Sequence, residues 1–382
     1  MTPGIRALVL IDAFRMGGAE TLLAPMIVAS RDTDVAMDVM SVSPAAWNSE
    51  KTMTILAEAG IATYSLGIRR LLDPVALPRL AGAIRRGHYD VVHAHLEMAM
   101  TLAVPAARLV RRPAVCTFHH VARPLEGRAA WRERLAVEAA TRSRRALFVS
   151  EASLRSFAET YRPRAVPANW EVMHNGIDIS NFAPGDCDPR LRAELGGGTD
   201  GPIVVLPAAF RDFKGIPVAI RAWPLVRRRF PGAVLALTGG GEAEEELRRL
   251  VAELELAESV IFAGVRTDMP AVYRAADVVL LPSTHGENLP TVLIEASATG
   301  RAIAASRIGG IPDIVLDGRT GLLFEPGSEQ GLADAVCRLA GDPDLRRNLG
   351  AAAGERAREE FSAAAWMRRL RSTYLEAMGP RR

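Results

Sequence analysis

The sequence predicts an α/β protein made of two doubly wound units, each a parallel sheet flanked by helices. Three observations carry this expectation. Short apolar runs alternate with helical patterns from residue 5 to 150, the alternation starts afresh at Ile203, and the segment between, 184–202 (PGDCDPRLRAELGGGTDGP), is rich in Gly, Pro and Asp and reads as a linker. A chain of 382 residues is also long for one core and suits two of ordinary size.

The composition, 49% hydrophobic and 24% charged, is that of a globular chain. No apolar run reaches the roughly 18 residues of a membrane span, and MTPGIRALVLID runs into a strand pattern without a cleavage site, so a cytoplasmic protein is expected. A net charge of +3 is too small to argue for nucleic acid. Cys116, Cys187 and Cys337 lie too far apart to suggest a disulfide framework or a zinc site.

In chain order, residues 5–12 form a continuous apolar run, as a buried parallel strand does, and lead through Gly17 and Gly18 into a helical pattern. Such a strand, glycine turn and helix lets backbone N–H groups approach a phosphate, although a tight turn needs glycine in any case. G-x-G-x-x-G spacing is absent, which argues against a dinucleotide oxidoreductase. Strand patterns follow at 35–42, 61–66, 91–95, 114–118 and 146–150. DVVHAH (90–95) and AVCTFHH (114–120) end in histidines, where an open parallel sheet binds its ligands. His93 and His120 read as strand-end hydrogen-bonding groups, while His95 could line an acceptor site. Arg123, Arg128, Arg132, Arg134, Arg142, Arg144 and Arg145 crowd around Trp131, as a solvated helix face or as a surface for an anionic partner.

In the second half, strand patterns fall at 203–207, 233–238, 259–263, 277–282 and 301–305. Lysine occurs only at positions 51 and 214, so Lys214, next to Gly215 in FRDFKG, stands out as a point charge for a phosphate. HGENLPTVLIEASATG (285–300) reads as a short helix, with Pro290 in its first turn, Asn288 or Leu289 as cap and Gly300 as stop. Glu287 then lies in the entering loop. Thr291, Glu295 and Thr299 share one stripe of an otherwise apolar helix, so Glu295 needs a partner, which a hydroxyl-bearing ligand would supply. The N–H groups at 288–291 offer an anion site beside it. Taken alone, these acids could equally be a structural salt bridge and a solvated loop residue.

Glu-x7-Glu with ENLP between, followed by IGGIPDIV and DGRTGLLF, resembles the donor-site signature of the retaining glycosyltransferases of family 4, over nearly the whole chain from Gly17. The resemblance implies a GT-B fold of two facing Rossmann-like domains with an interdomain cleft, here 1–182 and 183–360, with 361–382 returning as a helix to the first. It implies a metal-independent hexosyl- or N-acetylhexosaminyl-transferase that needs no cofactor beyond a UDP- or GDP-linked sugar donor. The acceptor would be a glycan, lipid-linked sugar or small molecule. Apart from the resemblance, the basic segment 123–145 could make peripheral contact at the inner membrane face, if it is not simply a solvated helix face. Lys214, Gly17 and Gly18 would face the diphosphate, with Arg211 near it. Glu287 would hold the sugar hydroxyls, Glu295 the ribose, and His119, from TFH, the sugar near its anomeric centre. Gly240 in LTGGGE and Val265 and Arg266 in FAGVR would border the nucleotide, and Asn288, Leu289, Pro290 and Thr291 the diphosphate. The family arginine five positions before Lys214 is Ala209 here, which keeps open a sugar-nucleotide-binding protein or epimerase with weak transfer. Three Asp-x-Asp pairs, at 32/34, 186/188 and 342/344, read as surface acids rather than metal ligands.

Overall fold

A computed structural model describes residues 4–380, which fall into two units, 4–177 with 362–380, and Asp178–Phe361. The division comes at 177/178 and 361/362, slightly off the expected 182/183 and 360/361. Backbone contact explains the shift. Ile177 bridges Ser362, and a Cβ on Gly176 would sit 2.4 Å from the Ser362 carbonyl oxygen, so the chain up to Ile177 is held against the start of the last helix.

The first unit holds seven parallel strands, β1 (Ile5–Ile11), β2 (Val35–Ser41), β3 (Thr63–Ser65), β4 (Val91–His95), β5 (Ala114–Phe118), β6 (Arg145–Phe148) and β7 (Trp170–Val172), ordered β3-β2-β1-β4-β5-β6-β7. Core side chains such as Leu8 and Val9 alternate to both faces and are fully buried, which is why the strands read as unbroken apolar runs. β6 ends before Ser150, because that hydroxyl caps the next helix by accepting from the Ser153 N–H. The three-residue β7 carries no periodic signal. Helix Ala363–Met378, capped by Ser362, buries Trp366, Met367, Leu370 and Tyr374 in the core beside Val9 and Met26. Arg371 on it makes a two-pronged bond to Asp34. That acid, its side chain 35% exposed, is a surface acid that also pairs with the returning helix.

The second unit holds six parallel strands, β8 (Ile203–Pro207), β9 (Val234–Thr238), β10 (Val260–Gly264), β11 (Val278–Leu281), β12 (Ala302–Ser306) and β13 (Leu322–Phe324), ordered β10-β9-β8-β11-β12-β13. The linker expectation needs correction. Helix Pro189–Gly196 forms inside it, because Asp188 caps it, Pro189 suits its first position, and Leu191 and Leu195 point into the unit. Asp342 likewise caps helix Pro343–Glu360, so two further Asp-x-Asp members serve backbone N–H groups.

Both sheets wind outward in two directions from a central pair, β1 with β4 and β8 with β11. At such a switch point the loops beyond the carboxyl ends diverge and leave a crevice, so each unit has one preferred place for a ligand.

His93 on β4 is fully buried, 2.7 Å from the Tyr374 hydroxyl and 2.7 Å from Thr117 Oγ1. Burial, reinforced by His119, pushes its pKa down to about 3. Below pH 6.5 the unfolded ring takes a proton that the folded ring refuses, so this stability is complete above pH 6.5 and is lost as pH falls towards 3. From pH 6.5 to 5 the loss from His93 is about 2 kcal/mol. Urea midpoints at the two pH values measure it, and His93→Gln should flatten the dependence.

Candidate functional site

Lys214 leaves the loop after β8, and Glu287 the loop after β11, so strand order makes neighbours of residues 73 positions apart. Lys214 Nζ donates to Glu287 Oε1 at 2.6 Å, and the Ser283 hydroxyl donates to the same oxygen at 2.6 Å. Glu287 is only 5% exposed, and its Oε2 has no hydrogen-bond partner among the described residues. It is a buried, paired carboxylate rather than a solvated loop acid. Two glycines permit the approach. Gly215 has φ 65° and a Cβ there would lie 1.9 Å from the Pro282 carbonyl oxygen; Gly309, at φ 55°, would clash equally with the Glu287 carbonyl.

The helix after Glu287 runs Thr291–Ala298, and Pro290 is its N-cap, not a first-turn residue as expected, with φ −69° and ψ 111°. The cap therefore does not fall on Asn288 or Leu289. A proline there carries no side-chain acceptor, and no side-chain cap bond closes the helix start, so its first N–H groups face outward from the cap. Glu295 lies one turn further on. Its Oε2 accepts from the Tyr273 hydroxyl at 2.9 Å, and Thr291 also bonds to it. Burial raises its pKa, with the two hydroxyls opposing that shift. Sequence reasoning missed Tyr273, which sits on a separate helix, Met269–Ala275, with no spacing relation to Glu295.

The remaining second-unit candidates differ in what they leave free. The Gly240 carbonyl accepts from the Phe210 N–H at 3.0 Å, which binds the glycine loop to the loop carrying Arg211. Arg211 is exposed, without a side-chain partner among the described residues, and Ala209 beside it is exposed too. Val265 is 78% exposed. The Arg266 side chain is held by Asp268, through Nε at 2.8 Å and Nη2 at 2.6 Å, and by Glu194 at 2.7 Å, so three of its five N–H groups are already used.

In the first unit, Gly17 caps a single helical turn, Gly18–Thr21, with extended φ. A side chain at Gly18 would meet nothing within 4 Å. His119 follows β5, with Nε2 2.8 Å from His95 Nδ1 and Nδ1 3.4 Å from Asn175 Nδ2. The amide nitrogen can only donate, so with Nδ2 facing the ring His119 Nδ1 accepts and its Nε2–H donates to His95, leaving the His95 proton on Nε2. That Nε2 is buried without a partner. Burial lowers the pKa of both rings, keeping the pair neutral. His95 is 1% exposed and lines no surface, contrary to expectation. His120 pairs with buried Glu133 at 3.0 Å.

Comparison with known proteins converges on one reading. Residues 16–181 match the family model for Glycosyltransferase Family 4, and 201–342 the model for glycosyl transferases group 1. The alpha-maltose-1-phosphate synthase of Mycolicibacterium smegmatis is 34% identical over 72% of this chain and 76% of its own length. The chain belongs to the family 4 glycosyltransferases. The GDP-mannose-dependent phosphatidylinositol monomannoside mannosyltransferase of the same organism is 37% identical over 54% of this chain, and the chain spans about half of that relative, 55%. Among solved structures, HepE of Anabaena with UDP aligns at TM-score 0.81 and 25% identity, covering 97% of this chain and 99% of that one. A glycosyltransferase of Rickettsia africae, 17% identical, aligns at TM-score 0.81 over 98% and 99%, which supports the GT-B fold.

This family 4 chain offers one group of mixed metal-ligand atoms among the described residues, Glu97, His120 and Glu133, within 4.8 Å of one another. Glu133 is already bonded to His120 and the Tyr161 hydroxyl. No helix among the described residues is long and apolar enough to cross a membrane. In the basic segment, Arg142 pairs with Glu138 at 2.6 Å and Arg145 with Glu376 at 2.9 Å, so part of its charge is neutralised.

The Lys214–Glu287 pair is testable. Lys214→Met should lower unfolding stability by about 3 kcal/mol, because it leaves a buried carboxylate with one hydroxyl. Glu287→Gln on top of it should recover much of that loss. A denaturation cycle in which the two effects simply add would show that the pair carries no coupling.

Proposed function

We propose that this chain is a retaining glycosyltransferase that moves a sugar from a nucleoside-diphosphate sugar to an acceptor hydroxyl. The observation that carries it is the meeting, at one switch point, of the Lys214–Glu287 pair with the open start of helix Thr291–Ala298 and Glu295 one turn along it. A nucleotide sugar brings both hydroxyl donors and a diphosphate. The unclaimed Glu287 oxygen suits sugar hydroxyls, Glu295 suits ribose hydroxyls, and the lysine with the helix N–H groups suits phosphate. HepE of Anabaena is solved in complex with UDP and with UDP-glucose, and relatives are named GDP-mannose-dependent, which supports a UDP- or GDP-linked donor.

In this reading the diphosphate departs as the acceptor hydroxyl attacks from the same face, and the departing phosphate oxygen takes the hydroxyl proton. The chain's share is electrostatic. Lys214 and the N–H groups at 291 and beyond hold the charge that develops on the leaving oxygen, fixed in place before reaction, each contributing a few kcal/mol. Neutral His119, oriented by His95 and Asn175, would set the sugar near its anomeric centre. Exposed Ala209 favours a second reading, a sugar-nucleotide-binding protein or epimerase with weak transfer, in which Arg211 lacks the help of a neighbouring arginine.

Turnover of UDP- and GDP-sugars with and without acceptors separates the two readings, and the anomeric configuration of the product, read by NMR, tests retention. Glu295→Ala and Lys214→Ala should each weaken nucleoside-diphosphate binding at least tenfold, about 1.4 kcal/mol, with the fold intact by circular dichroism. Unchanged titrations in both variants would remove the site. Chelation should leave turnover within about twofold; activity abolished by EDTA and restored by Mg²⁺ would overturn the metal-independent mechanism.

A further inference from the structure

We propose that the amino end of the first sheet carries a separate binding site, for a compound with two or more phosphate groups. A cavity of about 600 Å³ opens where three helices stop, Glu97–Leu109, Gly127–Thr141 and Ala363–Met378. Its walls come from the segment leading into β5, the segment leading into β6, and Ala377 and Met378 at the end of the last helix. His95 and His119 belong to the opposite ends of β4 and β5, and five residues of extended chain, roughly 16 Å, separate His119 from Ala114. Binding at this cavity is therefore independent of the transfer reading.

Five arginines, Arg108, Arg111, Arg112, Arg142 and Arg144, line the cavity, and no carboxylate does so among the described residues. The acids around it are already engaged. Arg112 stands 3.8 Å from Asp90, whose other oxygen accepts from the Arg6 N–H at 2.9 Å. Arg142 bonds to Glu138 at 2.6 Å, but that carboxylate also holds Arg162 at 2.6 Å. Glu376, next to Ala377, is taken by Arg145 at 2.9 Å. Arg108, Arg111 and Arg144 are exposed and have neither an ion pair nor a side-chain hydrogen bond among the described residues.

Structural duty does not account for these arginines. The carboxyl end of a helix attracts cations, yet other donors already meet the carbonyls here. Ala107 accepts from the Arg112 N–H at 2.9 Å and Arg108 from the Arg111 N–H at 3.1 Å, while Ala140 accepts from the Ser143 N–H and hydroxyl at 3.1 and 2.7 Å. Of the five guanidinium groups only Arg142 reaches a carbonyl oxygen, that of Glu138 at 3.2 Å. Arg111, at φ 57°, holds the left-handed position after a helix that glycine ordinarily fills, so the helix stop does not call for an arginine. Like charges gathered at one cavity repel one another and disfavour the compact state. An anion from outside reverses that. Guanidinium forks give a phosphate two parallel bonds each, and three unclaimed forks in a cavity of this volume suit more than one phosphate.

Calorimetric titration of the full chain with tripolyphosphate, against orthophosphate and citrate, tests the site. Tripolyphosphate should bind at least tenfold more tightly than either. A polyphosphate can also enter the second unit's site, so variants locate the binding. Arg111→Gly with Arg144→Ser should weaken tripolyphosphate at least tenfold and leave UDP and GDP thermal shifts unchanged, whereas Lys214→Ala should keep the tight tripolyphosphate binding. The double variant should unfold no earlier than the parent, since glycine suits position 111. In the unmutated chain, tripolyphosphate should slow hydrogen exchange at 108–112 and 142–144. Co-sedimentation with phosphatidylcholine vesicles, with and without cardiolipin, separates the sources: binding that needs cardiolipin and is lost in the double variant assigns the phosphates to a lipid headgroup, whereas tripolyphosphate binding without vesicle binding assigns them to a soluble compound. The proposal falls if orthophosphate or citrate binds as tightly as tripolyphosphate, or if neither tripolyphosphate nor cardiolipin vesicles bind. Binding lost with Lys214→Ala and kept in the double variant also overturns it. Should the double variant fail to fold, hydrogen exchange of the unmutated chain decides, and exchange unchanged at both segments removes the site.

Discussion

The ion pair between Lys214 and Glu287 ties together loops that leave neighbouring strands and then wind away in opposite directions. Parallel strands buried on both faces leave little room for polar groups within the sheet, so a buried ion pair such as this one forms in the carboxyl-end loops. Two charges removed from water at that point are stable only when they meet. The meeting requires close backbone approach, which Gly215 against Pro282 and Gly309 against Glu287 allow. Structural demand and chemical opportunity thus coincide: the lysine neutralises one oxygen of the carboxylate and leaves the other unclaimed.

The first unit solves the same geometric problem with different chemistry. Asp12 after β1 receives two backbone N–H groups from the helix after β4, so a helix start plays the part that a lysine plays in the second unit. The two units thus hold an acid at the switch point by different means, a helix start in the first and a lysine in the second.

The histidines form a chain of constraint running from the core to the loop after β5. His93 is held by Thr117 and by Tyr374 of the returning helix, His95 packs against it with ring centroids 4.2 Å apart, and His95 in turn bonds to His119. Burial keeps the rings neutral, so each nitrogen must act as either donor or acceptor. The C-terminal helix therefore reaches the largely buried His119 through two rigid rings.

The sequence by itself determined the class and most of the framework. Unbroken apolar runs located β4, β5 and β8 with the bounds observed and most other strands within a residue or two, because burial on both faces leaves that signature. Four-residue spacing put Glu295 on an otherwise apolar helix, and the rarity of lysine singled out Lys214. What carried no period was lost: three-residue β7 and β13, and the capped helix inside the linker. Only the tertiary structure decided which loops became neighbours. Glu287 meeting Lys214, Glu295 meeting Tyr273, and Arg111 sharing a cavity with Arg144 and Met378 all follow from strand order and helix packing. Periodicity reports which way a side chain points along its own element, whereas a site depends on what stands opposite, and that is set by the winding of the sheet.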